Sequence, residues 1–308
     1  MVDHRVVAEN LAFPEGPLEL PGGDILVTEI RSGTLARVTP AGAKSTFAVT
    51  GGGPNGAAIG PDGAIYICQN GGFEWNETDF GGQLLLMPGE QPADYIGGQI
   101  QRVSADGKEV TTLYRSCEGI PLKGPNDIVF DAEGNFYFTD HGKTHPRLRD
   151  RTGVFYASPD GKMIREIIFP MEGPNGIGLS PDGKTLYVAE TPTGRVWAVS
   201  LAGPGQVGGR QVLATVPGGP LMNLGMCDSL CVDAEGNVIV ATLVNGGLTS
   251  ISPDGSKVTH YPFPDILVTN ACFAGPGLGT LYVTLSTTGR LIAVDNWPTK
   301  GLKLNFQV

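Results

Sequence analysis

Six polar side chains stand in the same sequence setting: Glu15, Asn55, Asn126, Asn175, Asp228 and Asn270. Each heads a short apolar run that leads through a Gly-containing turn into a second apolar run. Two are carboxylates and four are amides, so the set is rich in oxygen acceptors. Brought together out of water, the carboxylates would repel and the amides would go unsatisfied. A hard divalent cation resolves both problems, because it takes carboxylate and amide oxygens together and its charge matches two carboxylates. Any one of the six could instead cap a turn, as Asn and Asp often do before Gly. Six at equivalent positions argue for a shared role.

A repeat is what could bring them together. The segments are FPEGPLELPGGDILVTE from Phe13, PNGAAIGPDGAIYIC from Pro54, PNDIVFDAEGNFYFTD from Pro125, PNGIGLSPDGKTLYVAE from Pro174, CDSLCVDAEGNVIVAT from Cys227 and TNACFAGPGLGTLYVT from Thr269, the first and last being the weakest copies. A second motif follows each: GTLARVTPAGAK from Gly33, GQIQRVSADGKEV from Gly98, GVFYASPDGKMI from Gly153, GRVWAVSLAG from Gly194, GGLTSISPDGSKV from Gly246 and GRLIAVDNW from Gly289. Alternating apolar runs between Gly turns read as hairpins. Two hairpins in a unit of roughly 40–50 residues, six times over, predict an all-β chain. It is expected to fold as a six-bladed β-propeller with four-stranded antiparallel blades and a central metal site, one domain over 1–308. In a propeller the first strand of each blade lines the channel, so the six polar residues form one ring. HRVVAE, ahead of the first repeat, is expected to pair as a strand with the last blade, next to residues 300–308, and so to remove an open edge.

The segments FPEGP, GPNDIVFDAEGNFYFTD, EGPNGIGLSPDGKTLYVAE and CDSLCVDAEGNVIVA resemble the family of senescence marker protein, gluconolactonase and luciferin-regenerating enzyme. The chain is also similar to diisopropyl fluorophosphatase and, more distantly, to paraoxonase. The resemblance covers nearly the whole chain. It implies one divalent cation held by Glu15, Asn126, Asn175 and Asp228, with calcium first and manganese, zinc or magnesium as alternatives. Where the family's aspartate segment reads Asp-Gly, this chain has Asp228-Ser229. Ser229 could add an oxygen beside the cation. Asn55 and Asn270 fall outside the usual ligand set and are expected to contact substrate or water.

The loop between the second and third strands of each blade lies on the face where the ring sits. Most are short, such as TPTG (191–194) and STTG (286–289). The second blade instead inserts residues 70–98, and so long a loop is usually functional. Phe73, Trp75, Phe80 and Tyr95 within it are expected to wall an apolar pocket as a lid, with Phe73 and Trp75 touching substrate. Glu74, Glu77 and Asp79 discourage an anionic substrate; a contact between subunits is the other use for such a loop. In the third blade DHGKTHPRLRDR offers His141 as a proton donor or substrate contact, ahead of Arg31 and His145.

A hard ion with an open position acts as a Lewis acid on a carbonyl or phosphoryl oxygen. Asp228 is then the expected catalytic residue, as general base for water or as nucleophile. No G-x-S-x-G elbow, P-loop or dinucleotide fingerprint is present. The reaction expected from the resemblance is hydrolysis of a small lactone, which the aromatic insertion tilts from a sugar toward an alkyl or aromatic ring. A phosphotriester or fluorophosphate hydrolase, and a non-catalytic metal-stabilised binding propeller, are the alternatives. The net charge of -10 argues against nucleic acid or an anionic membrane as partner. No apolar run is long enough to span a bilayer, and MVDHRVVAEN has no apolar core of a signal peptide. Five cysteines at irregular spacing fit reduced thiols in the cytoplasm, with Cys227 and Cys231 as buried structural groups rather than half of a zinc site.

Overall fold

In the computed structural model, which describes residues 2–80, 83–218 and 225–307, the repeats become six four-stranded antiparallel sheets. We call them blades I to VI in chain order. Their innermost strands are Pro14–Glu19, Pro54–Ile59, Pro125–Phe130, Pro174–Leu179, Met226–Val232 and Val268–Ala274. Each packs against the next, and the sixth packs against the first, so the ring is closed.

The period-two pattern of the second strands explains how the blades stack. Neighbouring side chains point to opposite faces of a strand, and here to opposite flanking blades. Leu26 packs toward blade II and Val27 toward blade VI. The same division separates Ile67 from Tyr66, Phe138 from Tyr137, Val188 from Tyr187, Val240 from Ile239 and Val283 from Tyr282. Six apolar wedges result, one between each pair of blades, and each second strand feeds two of them.

The chain start closes the circle as its sequence implies. Arg5–Ala8 forms the outermost strand of blade VI, pairing antiparallel with Arg290–Val294. The end of the chain departs from the expectation. Residues 301–307 do not lie beside that strand; they cross the underside of the channel. Leu302 N donates to Val232 O at 3.2 Å, Asn305 Nδ2 to Phe130 O at 3.0 Å and Gln307 Nε2 to Phe273 O at 3.0 Å. The physical reason is the set of carbonyls at the lower ends of the innermost strands of blades V, III and VI, which need donors that a neighbouring strand does not supply. The tail supplies them. Between the tail and the ring lies an apolar cavity of about 110 Å³.

The insertion in blade II is ordered as a hairpin, Trp75–Phe80 paired with Gln83–Pro88. No described helix is long and apolar enough to cross a membrane. All five cysteines are free.

Candidate metal centre and its rim

Each of the six polar residues sits at or beside an irregularity in its blade. The pairing of first and second strands shifts register between Glu15 and Leu18, Pro54 and Ala57, Pro125 and Ile128, Pro174 and Ile177, Cys227 and Leu230, and Val268 and Asn270. A bulge bends a strand and re-aims a side chain. In blades I, II and IV the glycine that follows lets adjacent blades meet at backbone distance. A methyl group on Gly176 would stand 2.4 Å from Leu230 N, and one on Gly16 would stand 2.3 Å from Asn55 O. Thr28 Oγ1 donates to Asn55 O at 2.7 Å and Thr139 Oγ1 to Asn175 O at 2.5 Å, tying one blade to the ring residue of the next.

All six side chains are buried, and Glu15 and the four amides divide into two groups by their hydrogen bonds. In the first, Glu15 Oε2 accepts from Gly16 N at 2.8 Å and from Asn270 Nδ2 at 2.7 Å, while Asn270 Oδ1 accepts from Ala271 N at 2.7 Å. Both ends of the Asn270 amide are therefore engaged, and it orients Glu15 across the seam of the propeller. In the second group, Oδ1 of Asn55, Asn126 and Asn175 and the hydroxyl of Ser229 are buried with no hydrogen-bond partner. The Asn175 amide is fixed from its other end, Nδ2 donating to Thr191 Oγ1 at 3.1 Å. Orphaned buried acceptors are rare in folded proteins. Three amide oxygens left open beside two carboxylates fit an oxygen-ligated cation.

The electrostatics point the same way. Burial pushes Glu15 up to about 7, against the donors Gly16 N–H and Asn270. Asp228 is raised well above the ordinary range by burial and then by the charge of Glu15. Asp127, beside Asn126, is pushed up to about 8 by burial and then by Glu15. Three carboxylates thus oppose one another's ionisation on the axis, a field that attracts a cation. Among the described residues no three Asp, Glu, His or Cys side chains converge closely enough to hold a metal alone. A ligand set here needs the amide oxygens.

The rim above the ring is uneven. His141 and Arg149 of blade III lie against Gly173, just ahead of Asn175. Arg149 Nη2 is 2.7 Å from His141 Nε2; an arginine only donates, so the imidazole accepts there and is neutral. Burial and then Arg149 push His141 down to about 3. That environment keeps the imidazole neutral near pH 7, with its one proton on Nδ1. Phe73 and Trp75 pack with Phe13, Ile30, Leu243, Ile266 and Leu267, which carries the root of the insertion across to the rims of blades I, V and VI. The Phe80 side chain lies outside the described residues. Arg31 is exposed and His145 half-buried on the outer rim.

The family model described as SMP-30/gluconolactonase/LRE-like region matches residues 13–287. This chain belongs to that family. Among its relatives is lactonase drp35 of Staphylococcus saprophyticus, 31% identical over 79% of this chain and 67% of that protein. Gluconolactonase of Zymomonas mobilis is 25% identical over 92% of this chain and 78% of its own. The chain thus spans about two thirds to three quarters of the length of these curated relatives. In fold, it is similar to the calcium-binding protein regucalcin of Agrobacterium tumefaciens, with a TM-score of 0.75, 19% identity and 98% coverage of both chains.

Three charged groups at the ring or its rim lie outside the site residues expected from the sequence: Asp127, Arg149 and Lys143. Asp127 takes the position after the ring residue that Gly16, Gly56 and Gly176 occupy in other blades. That substitution was a visible signal. Arg149 and Lys143 had none, since both stand in a basic loop where one cation looks like the next.

Proposed function

We propose that this chain is a metal-dependent lactone hydrolase. The observation that carries the reading is the set of unpartnered buried amide oxygens at the head of the innermost strands, beside Glu15 and Asp228. The lactonase and gluconolactonase names of its relatives support it. Glu15, Asn126, Asn175 and Asp228 would hold the cation, and the calcium-binding neighbour favours calcium. When bound, the cation supplies Lewis-acid polarisation of the lactone carbonyl. Asp228 accepts the proton of the attacking water as its oxygen bonds to the carbonyl carbon. The acyl–oxygen bond of the ring then breaks, and the proton returns to the ring oxygen as it leaves as an alcohol. Asp228 attacking the carbonyl directly, followed by water, balances equally. The open Oδ1 of Asn55 serves substrate, and Asn270 keeps Glu15 in place. The free thiols fit a cytoplasmic setting.

The hairpin of the insertion acts as the lid, with Phe73 and Trp75 as its apolar underside. The test is a panel of sugar, alkyl and aryl lactones, with a fluorophosphate beside them, run with chelator and with added calcium, manganese or zinc. Metal-dependent lactone opening is the expected result. Removing residues 76–87 should change the rank order of lactones while metal binding is retained. Fluorophosphate turnover without lactone turnover would move the chain to the phosphotriesterase reading. No turnover under any condition would favour a binding propeller.

A further inference from the structure

We infer that Lys143 is a positioning residue that latches the insertion over the mouth and so sets which substrates fit beneath it; for its activity readout the inference rests on the lactonase reading above. Lys143 belongs to the blade III loop and is 2% exposed. Lysines are almost never buried so fully unless something holds the ammonium. Here Nζ donates to Gly72 O at 2.8 Å. It also lies 3.9 Å from the centroid of the Phe73 ring and 5.3 Å from that of Tyr95. A cation over two ring faces, out of water, is a strong form of this contact. Burial pushes Lys143 down to about 7, and the charges of Asp140 and Asp150 work against it to favour the ammonium.

What the ammonium grips is both ends of one segment. Gly72 and Phe73 open the insertion and Tyr95 closes it. The Tyr95 ring lies on Gly71, where a methyl group would stand 2.2 Å from Tyr95 Cε2, and the Tyr95 hydroxyl donates to Lys123 O. From the latch a line of aromatic contacts crosses the face. Phe73 meets Trp75 edge-on at 6.4 Å, and Trp75 meets Phe13 at 4.9 Å, two residues before Glu15. A residue of blade III therefore fixes a segment of blade II against the rim of blade I, without being one of the residues assigned to the cation. Its effect on the reaction passes through the insertion.

The experiment compares the parent with Lys143→Met, which keeps length but not charge, and Lys143→Arg, which keeps the charge and stacks on rings. Amide hydrogen exchange over residues 72–96 should quicken by on the order of 10-fold or more in Lys143→Met, with the parent rate largely kept in Lys143→Arg. Calcium affinity should stay at the parent value in both. With an aryl lactone, KM should rise by about 10-fold in Lys143→Met while kcat changes less, and Lys143→Arg should restore it. Unchanged exchange and unchanged aryl-lactone KM in Lys143→Met would overturn the inference. If the parent opens no lactone, the exchange comparison still decides it. If Lys143→Met does not fold, Tyr95→Leu removes one ring face, and the same quickening of 72–96 is expected; its absence would count against the latch.

Discussion

Asp228→Asn is expected to lose on the order of 10²–10⁴-fold in lactone turnover even at saturating metal. Glu15→Gln should recover much of the parent rate once metal is in excess. Both replacements keep an oxygen and remove one of two negative charges, so both should weaken the cation, whose affinity follows ligand charge. The difference lies in what else each carboxylate does. Glu15 is committed: Oε2 is held by Gly16 N–H and by Asn270. Asp228 is raised well above the ordinary range by burial and then by the charge of Glu15, against the hydrogen bonds from the Asn175 side chain and the Ser229 N–H. The expected role as base rests on that raised basicity. The measurement is hydrolysis of one lactone by parent and both variants across a metal titration. Equal recovery of the two at saturation would reduce Asp228 to a ligand, and the acid-base role would have to move elsewhere in the ring.

The sequence carries a good deal of this arrangement. The blades are legible because alternation and Gly turns are local signals, and all twelve motif segments fall on first, second and third strands. The ring is legible because the motif that makes a bulge also places the polar residue there. The insertion was visible as an excess of length, but its hairpin was not read, although WNETDF and QLLLMP flank a glycine pair in the sequence, an established turn signal. The tail escaped because its role is to satisfy carbonyls far away in sequence, and a polar Asn or Gln near a terminus gives no sign of that. Asn270 and Asn55 read alike in the repeat, yet one ends with its amide fully engaged and the other with a free oxygen. Only the seam between blades VI and I, which brings Asn270 to Glu15, distinguishes them. Lys143 was the least legible of all. HGKTHPRLRDR holds several cations, and which one is buried depends on where the neighbouring blade's aromatics come to rest.

Gly176→Ala tests whether contact between blades sets the spacing of the ring. The added methyl would stand 2.4 Å from Leu230 N, 2.6 Å from Ser229 C and 2.8 Å from Asp228 O. These are backbone atoms, so no rotamer change relieves the clash; blades IV and V must part. Gly176 does not have a positive φ, so the cost comes from crowding and not from backbone strain. Overpacking of this kind costs about 1–3 kcal/mol of stability. The larger effect should fall on the cation, because Asn175 and Asp228 ride on the two strands being pushed apart and ligand distances tolerate only about 0.2 Å. Metal affinity is expected to drop by on the order of 10–100-fold, the usual consequence of disturbing groups that hold ligands in place. Gly183→Ala is the control in the same blade. Its φ is +67 with open space around the added methyl, so it should cost about 1–2 kcal/mol in strain and leave the metal alone. Calorimetry for metal binding, beside denaturant unfolding of the metal-free proteins, separates the two effects. If Gly176→Ala loses stability like the control but binds metal as the parent does, then the close approach of blades IV and V serves packing only. The distance between Asn175 and Asp228 would then have to be fixed within each blade, by the bulges and by the bond from Asn175 to Thr191.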